Sequence, residues 1–184
     1  MSGPGGPRSP RRALITAVPL LALPATAWAQ QKPLVLPPKW YVVRVEDGAF
    51  TVELPGIPDH RLLNDASAPG TAFVLHSYSL EAGGYSYVVQ TALYPADVDV
   101  SQPRRLIEAA LDDRAKALET GKWSKVDWRD SAAADSTGPL KGGAALRQLV
   151  LLKGRRFVSL AFMGSPSSTT GVEAERFFKS LKMK

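Results

Sequence analysis

The sequence predicts an α/β fold of the α+β kind: an antiparallel sheet of about six or seven strands with helices on both faces, an α/β/α sandwich. Three observations predict it. Short β-rich runs occur in neighbouring pairs joined by glycine-containing turns, and two of them, "ALRQLVLL" and "RRFVSLAFM", are apolar on both faces. Two amphipathic helical patterns stand apart from them, one in mid-chain and one at the end. A strand that is apolar on both sides needs cover on both sides, so the two helices belong on opposite faces.

The first 29 residues precede this fold. Arg8, Arg11 and Arg12 stand without an acid, Ala13 to Trp28 carries no charge, and Ala27-Trp28-Ala29 is a small-x-small site before Gln30. That pattern reads as a secretory signal peptide cleaved between Ala29 and Gln30. Its apolar run is shorter than the ~20 residues of a membrane span and is broken by Pro19 and Pro24. Arg11-Arg12 resembles a twin-arginine signal, so the general secretory and twin-arginine routes both stay open. The chain has no cysteine, which excludes a lipidated anchor, disulfides and thiol chemistry. The expected address is the periplasm or the exterior.

Residues 30–39, with three prolines and no periodicity, form a lead-in, and a single domain is expected over 40–184. "WYVVRV" and "AFTVEL" flank Glu46-Asp47-Gly48 and make a hairpin. Phe50, Val52 and Leu54 alternate with Thr51 and Glu53 before Pro55, Gly56 and Pro58 end the strand. His60 then falls in an exposed turn. "TAFVLHSYSL" and "YSYVVQTALY" form a second hairpin around residues 81–84, a register that sets Tyr78 opposite Tyr87 and His76 opposite Val89.

Residues 101–120 read as a helix with Ser101 as N-cap, Pro103 in its first turn and Gly121 as its stop. Ile107, Ala110, Leu111, Ala115 and Leu118 form one stripe, and Glu108, Asp112, Arg114, Lys116 and Glu119 lie away from it or along its edges. "WSKVDWRD" is a weak strand and "SAAADSTGP" a polar loop. In the last hairpin, Leu146, Val150 and Leu152 oppose Leu149 and Leu151, and Phe157 and Met163 oppose Val158, Leu160 and Phe162. Thr170 and Glu173 have capping-box spacing before the stripe Ala174, Phe177, Phe178 and Leu181.

This order of elements, with "FTVELPGIPDHRLL", the tyrosine-rich hairpin, "LRQLVLLKGRRFVSLAFM" and "AERFFKSLK", resembles the PsbP-like and Mog1-like superfamily of secreted bacterial proteins, over residues 40–183. The resemblance implies the α/β/α sandwich and a non-enzymatic, accessory role. It maps no site residue onto this chain.

Candidate chemistry is sparse. His76, Tyr78 and Tyr87 share a strand face and are the candidate ligand-binding residues for a small anion or polar compound. Asp59 is badly placed to orient His60, since adjacent strand residues point apart. Ser86 sits inside a strand and lacks the elbow of a serine hydrolase. "GPLKGGAA" lacks the ending of a phosphate loop. Asp97 and Asp99 lack the further carboxylates of a calcium loop. The tip "KGRR" (153–156), with Arg147, is the densest basic cluster. The formal charge of +6 falls to +3 without Arg8, Arg11 and Arg12, leaving 20 basic against 17 acidic residues, too little for nucleic acid. No catalytic residue, metal ligand or cofactor is expected. The function expected is a periplasmic binding or accessory protein acting on an envelope protein through a surface. A small-ligand carrier using the His76/Tyr78/Tyr87 face is the alternative, and a hydrolase with a dispersed site comes last.

Overall fold

The computed structural model describes residues 39–45, 48–65, 73–116, 118–130 and 132–184. The expected signal peptide, its cleavage point Ala29/Gln30 and the lead-in up to Pro38 lie outside the described residues. The element order is β1 (Tyr41–Val45), β2 (Phe50–Leu54), β3 (Asp59–Asp65), β4 (Phe73–Ala82), β5 (Tyr85–Leu93), α1 (Pro103–Ala115), β6 (Lys125–Asp130), β7 (Ala133–Pro139), β8 (Ala145–Lys153), β9 (Arg156–Gly164), α2 (Val172–Lys179) and β10 (Lys182–Met183). Seven strands form one antiparallel sheet in the order β3-β4-β5-β9-β8-β7-β6, and β1-β2-β10 form a second of three.

The two-faced central strands divide the core as the alternation requires. On one face, Leu149, Val158, Leu160 and Phe162 pack with Tyr87, Val89 and the α2 residues Ala174, Phe177 and Phe178. On the other, Val150, Leu152 and Phe157 meet Leu106, Ile107 and Leu111 of α1, and Leu146, Ala161 and Met163 meet Ala115 and Leu118. The helices therefore lie on opposite faces of the larger sheet, and the expected α/β/α sandwich with an antiparallel sheet is what the chain adopts.

The structure corrects four local readings. The β1–β2 hairpin forms, with Val45 opposite Phe50 and Gly48 at φ +81° in its turn, but it does not join the main sheet. Pro55, Gly56 and Pro58 break the ladder, and the hairpin lies on the α2 side, where Phe50, Val52 and Leu54 are buried in the core. Residues 59–65 are a strand paired along its length with β4, so His60 is a strand residue and not a turn residue. The polar run 133–139 is also a strand, held between β6 and β8. Its small residues fit where bulk does not: a Cβ on Gly138 would come within 2.8 Å of Leu118 Cδ1.

The fourth correction concerns helix ends. α1 begins after Gln102, without a side-chain cap from Ser101, and ends at Ala115. Leu118 leaves the helix to bridge Leu140 and is 2% exposed. Tertiary packing thus overrides a helical propensity that runs on to Thr120. α2 is preceded by Gly171 rather than by a Thr170–Glu173 box, and its stripe is buried as expected, with Leu181 packed against the same core. No helix among the described residues is long and apolar enough to cross a membrane.

Candidate functional site

The pairing of β3 with β4 brings the chain's two histidines together. His60 lies opposite Tyr78, and Leu62 lies opposite His76, so both imidazoles stand on one face of neighbouring strands. The His60 ring stacks on Tyr78, with centroids 4.3 Å apart and planes at 10°. His60 Nε2 and His76 Nδ1 are 3.3 Å apart and hydrogen-bonded, the donor depending on the tautomer. His60 is exposed and His76 half-buried. The sequence suggested neither this strand nor this pair, because "DHRLLND" follows Pro-Gly-Ile-Pro and carries little β-pattern.

Tyr87 does not meet them. The β4–β5 turn is two residues tighter than the expected 81–84 loop, with Ala82 opposite Tyr85, which sets Tyr87 opposite Leu80 and His76 opposite Thr91. A shift of two preserves the face, so Tyr87 still shares it, but its ring is 1% exposed and packed edge-on to Trp40, Phe162 and Phe177. Its hydroxyl is buried without a partner among the described residues. Burial, and then the charges of Glu173 and Tyr85, push its pKa well above the ordinary phenol range. The three residues therefore do not line a common pocket.

Beside the histidines the same face is left open. Leu62 on β3, Val74 on β4 and Leu93 on β5 are 58%, 45% and 54% exposed, and the registers Leu62–His76 and His76–Thr91 put all three on the histidine side of adjacent strands. β3 is the outermost strand of the larger sheet, and among the described residues no strand pairs with its other edge.

Under α1, on the opposite face, lies a buried polar row that the sequence did not announce. Arg114, expected away from the stripe or along its edges, is 4% exposed, and its Nη2 donates to Gln90 Oε1 at 2.6 Å. Gln90 pairs with Ser159 across β5–β9, and Gln148 Nε2 donates to Ser159 Oγ at 2.8 Å. Arg114 Nη1 and Gln148 Oε1 have no partner among the described residues. Desolvation lowers the Arg114 pKa to about 10, the charge of Asp113 opposing it. At 100° per residue the Arg114 position falls inside the buried stripe, between Ile107 and Ala110.

Other charged candidates bond within the chain. Arg147 is not part of the basic tip: it binds Asp135 at 2.8 Å, binds Glu175 and the carbonyl of Thr169, and lies over the Phe178 ring, tying β7 and β8 to α2. At the tip, Arg155 donates to the carbonyls of Tyr94 and Val98 at 3.0 and 2.7 Å. Asp99 accepts the Ser101 backbone N–H at 2.8 Å, which holds its carboxyl below the usual range. Ser86 is buried in β5 and donates to Glu81, whose carboxyl is raised by burial.

No family model matches the chain, and no curated protein matches it. Among solved structures it is similar to the solution structure of cyanobacterial PsbP (CyanoP) from Synechocystis sp. PCC 6803, at 8% identity over 85% of this chain and 99% of that one, with a TM-score of 0.49. At that level the likeness has no bearing on function.

Proposed function

We propose that this is an exported, non-catalytic binding protein whose working surface is the open end of the larger sheet, where it takes an extended apolar segment of an envelope protein alongside β3. The observation that carries this reading is the row Leu62, Val74 and Leu93. Single exposed apolar residues are ordinary on a protein surface, whereas three on adjacent strands beside an unpaired edge are a strand-addition surface. The edge supplies backbone donors and acceptors, and the side chains supply the apolar contact. The small-ligand alternative is weaker, because Tyr87 is sealed in the core between the sheet and α2.

A photo-crosslinking amino acid placed at Leu62 in cells tests the proposal, with Val172 on α2, 79% exposed, as the control position. The expected result is a defined adduct with one envelope protein from position 62 and none from 172, lost when Val74→Lys is added. Adducts of twice the chain mass would assign the surface to self-association, and equal adducts from both positions would remove it as a binding surface. Intact-mass measurement of the periplasmic fraction tests export: the product should begin at Gln30, and a chain retaining residues 1–29 overturns that part.

A further inference from the structure

We propose that His60 and His76 form a two-imidazole site for a divalent transition cation of the copper, nickel and zinc class. The two nitrogens that face each other are 3.3 Å apart, long for a hydrogen bond. Two imidazole nitrogens each ~2.05 Å from a tetrahedral zinc are separated by about 3.3 Å, and by about 2.9 Å around a square-planar metal. The gap between the rings is therefore already the bite of a metal ion.

The surroundings hold that gap open. The ring planes are 13° apart with centroids 5.4 Å apart, so the rings lie nearly parallel with one nitrogen of each facing the other. One proton fits between them, carried by one of the two neutral imidazoles, and a cation takes its place once that proton moves to the other nitrogen of the same ring, so that both rings bind the metal neutral. Both residues stand on strands locked in register, and the Tyr78 ring under His60 braces it from one side. Little has to be ordered for binding beyond a turn of each ring by about 35° off the nitrogen–nitrogen line, the angle that a tetrahedral centre requires.

No group of three or more His, Cys, Asp or Glu among the described residues could hold a metal. Among the described residues the two imidazoles are then the share the protein supplies, and exposed His60 leaves the remaining positions to water. Strand alternation puts the Arg61 guanidinium on the other face, away from the incoming charge. Imidazole ligands without thiolate select for this class of ions over calcium and magnesium, which prefer oxygen.

The test is calorimetric titration of the purified protein, carrying no histidine tag and treated with chelator, with zinc chloride, and electron paramagnetic resonance after one equivalent of copper sulfate. One zinc per chain is expected, with His60→Gln and His76→Gln each weakening it at least tenfold, and nitrogen coupling in the copper spectrum that falls in each variant. His60 is exposed, so His60→Gln should keep the native circular dichroism and report on the metal alone. Absence of zinc heat at millimolar concentration would overturn the proposal, as would affinity unchanged within threefold in both variants. These results are independent of whether Leu62 crosslinks to a partner.

Discussion

Replacing Arg114 by methionine should leave the protein as stable as before or make it more stable by up to about 2 kcal/mol, although the side chain is almost wholly buried and hydrogen-bonded. The guanidinium is 4% exposed, with one bond to Gln90 and an unpartnered Nη1. Among the described residues no carboxylate lies within ion-pair distance of it. Its pKa falls to about 10 from the ordinary guanidinium value, which at 1.36 kcal/mol per pH unit is a cost of about 3 kcal/mol for holding the charge in the folded state. A base whose folded value is depressed destabilises the fold fully below about pH 10 and progressively less as pH rises from there toward the ordinary guanidinium value. Methionine removes this cost and keeps the apolar stem, but it orphans Gln90 Oε1 at ~1–3 kcal/mol. Gln90→Leu added to Arg114→Met should recover much of that loss. Urea unfolding followed by tryptophan fluorescence measures both, provided the slope m is unchanged. Destabilisation by more than ~2 kcal/mol would refute the reasoning, because it would require an anion or ordered water at Nη1 that makes the charge favourable where it is.

Phe177→Ala should cost about 3–5 kcal/mol, since the ring is fully buried against Tyr87 and Phe178; a loss under ~1 kcal/mol in the same urea assay would mean that the stripe is not packed. Arg147→Ala should cost about 2 kcal/mol by removing its bonds to Asp135, Glu175 and the Thr169 carbonyl while Arg129, at 3.2 Å, still pairs with Asp135, and Asp135→Asn in the same background should restore part of it. The Arg147 and Lys179 hydrogen bonds hold the Glu175 carboxyl below the usual range. Its contribution is therefore present above the unfolded pKa and lost as pH falls through the folded one, so Glu175→Gln should flatten the acid side of the stability–pH curve. An identical acid limb in wild type and variant would remove Glu175 as a contributor.

The parts of the fold that could be read from the sequence are those where side-chain chemistry and packing agree. β8 and β9 alternate apolar residues on both faces, and the sheet they make is covered on both. β3 and β7 were hidden because their strand character comes from the neighbours: "DHRLLND" follows a proline turn, and "AADSTGP" is small and polar where α1 and Leu118 press against it. The histidine pair was hidden for the same reason, since His60 reaches His76 only through a β3–β4 ladder that joins residues sixteen apart. Arg114 was misplaced because a helical wheel ranks residues by polarity and carries no information about Gln90 on the facing strand.

The open end of the sheet sets a limit on what kind of contact would work there. Ile57 and Val172 are more exposed, at 85% and 79%, but each stands alone, and neither adds to a row. Leu62, Val74 and Leu93 are each about half exposed, so covering them yields about 1 kcal/mol apiece. The three together give about 3 kcal/mol, short of even the ~4 kcal/mol of a millimolar complex and before any cost of association. Side chains alone do not hold a partner on this face. A ladder along β3, seven residues long, supplies the missing part, because each outward backbone group exchanges water for a strand laid beside it at a net gain of about 1 kcal/mol. The two contributions separate by position. Leu62→Lys disturbs both the edge and the row, whereas Leu93→Lys, on an interior strand paired on both sides, disturbs the row alone. Leu62→Lys should therefore weaken partner capture by a larger factor than Leu93→Lys, and equal losses would mean that the edge of β3 takes no part.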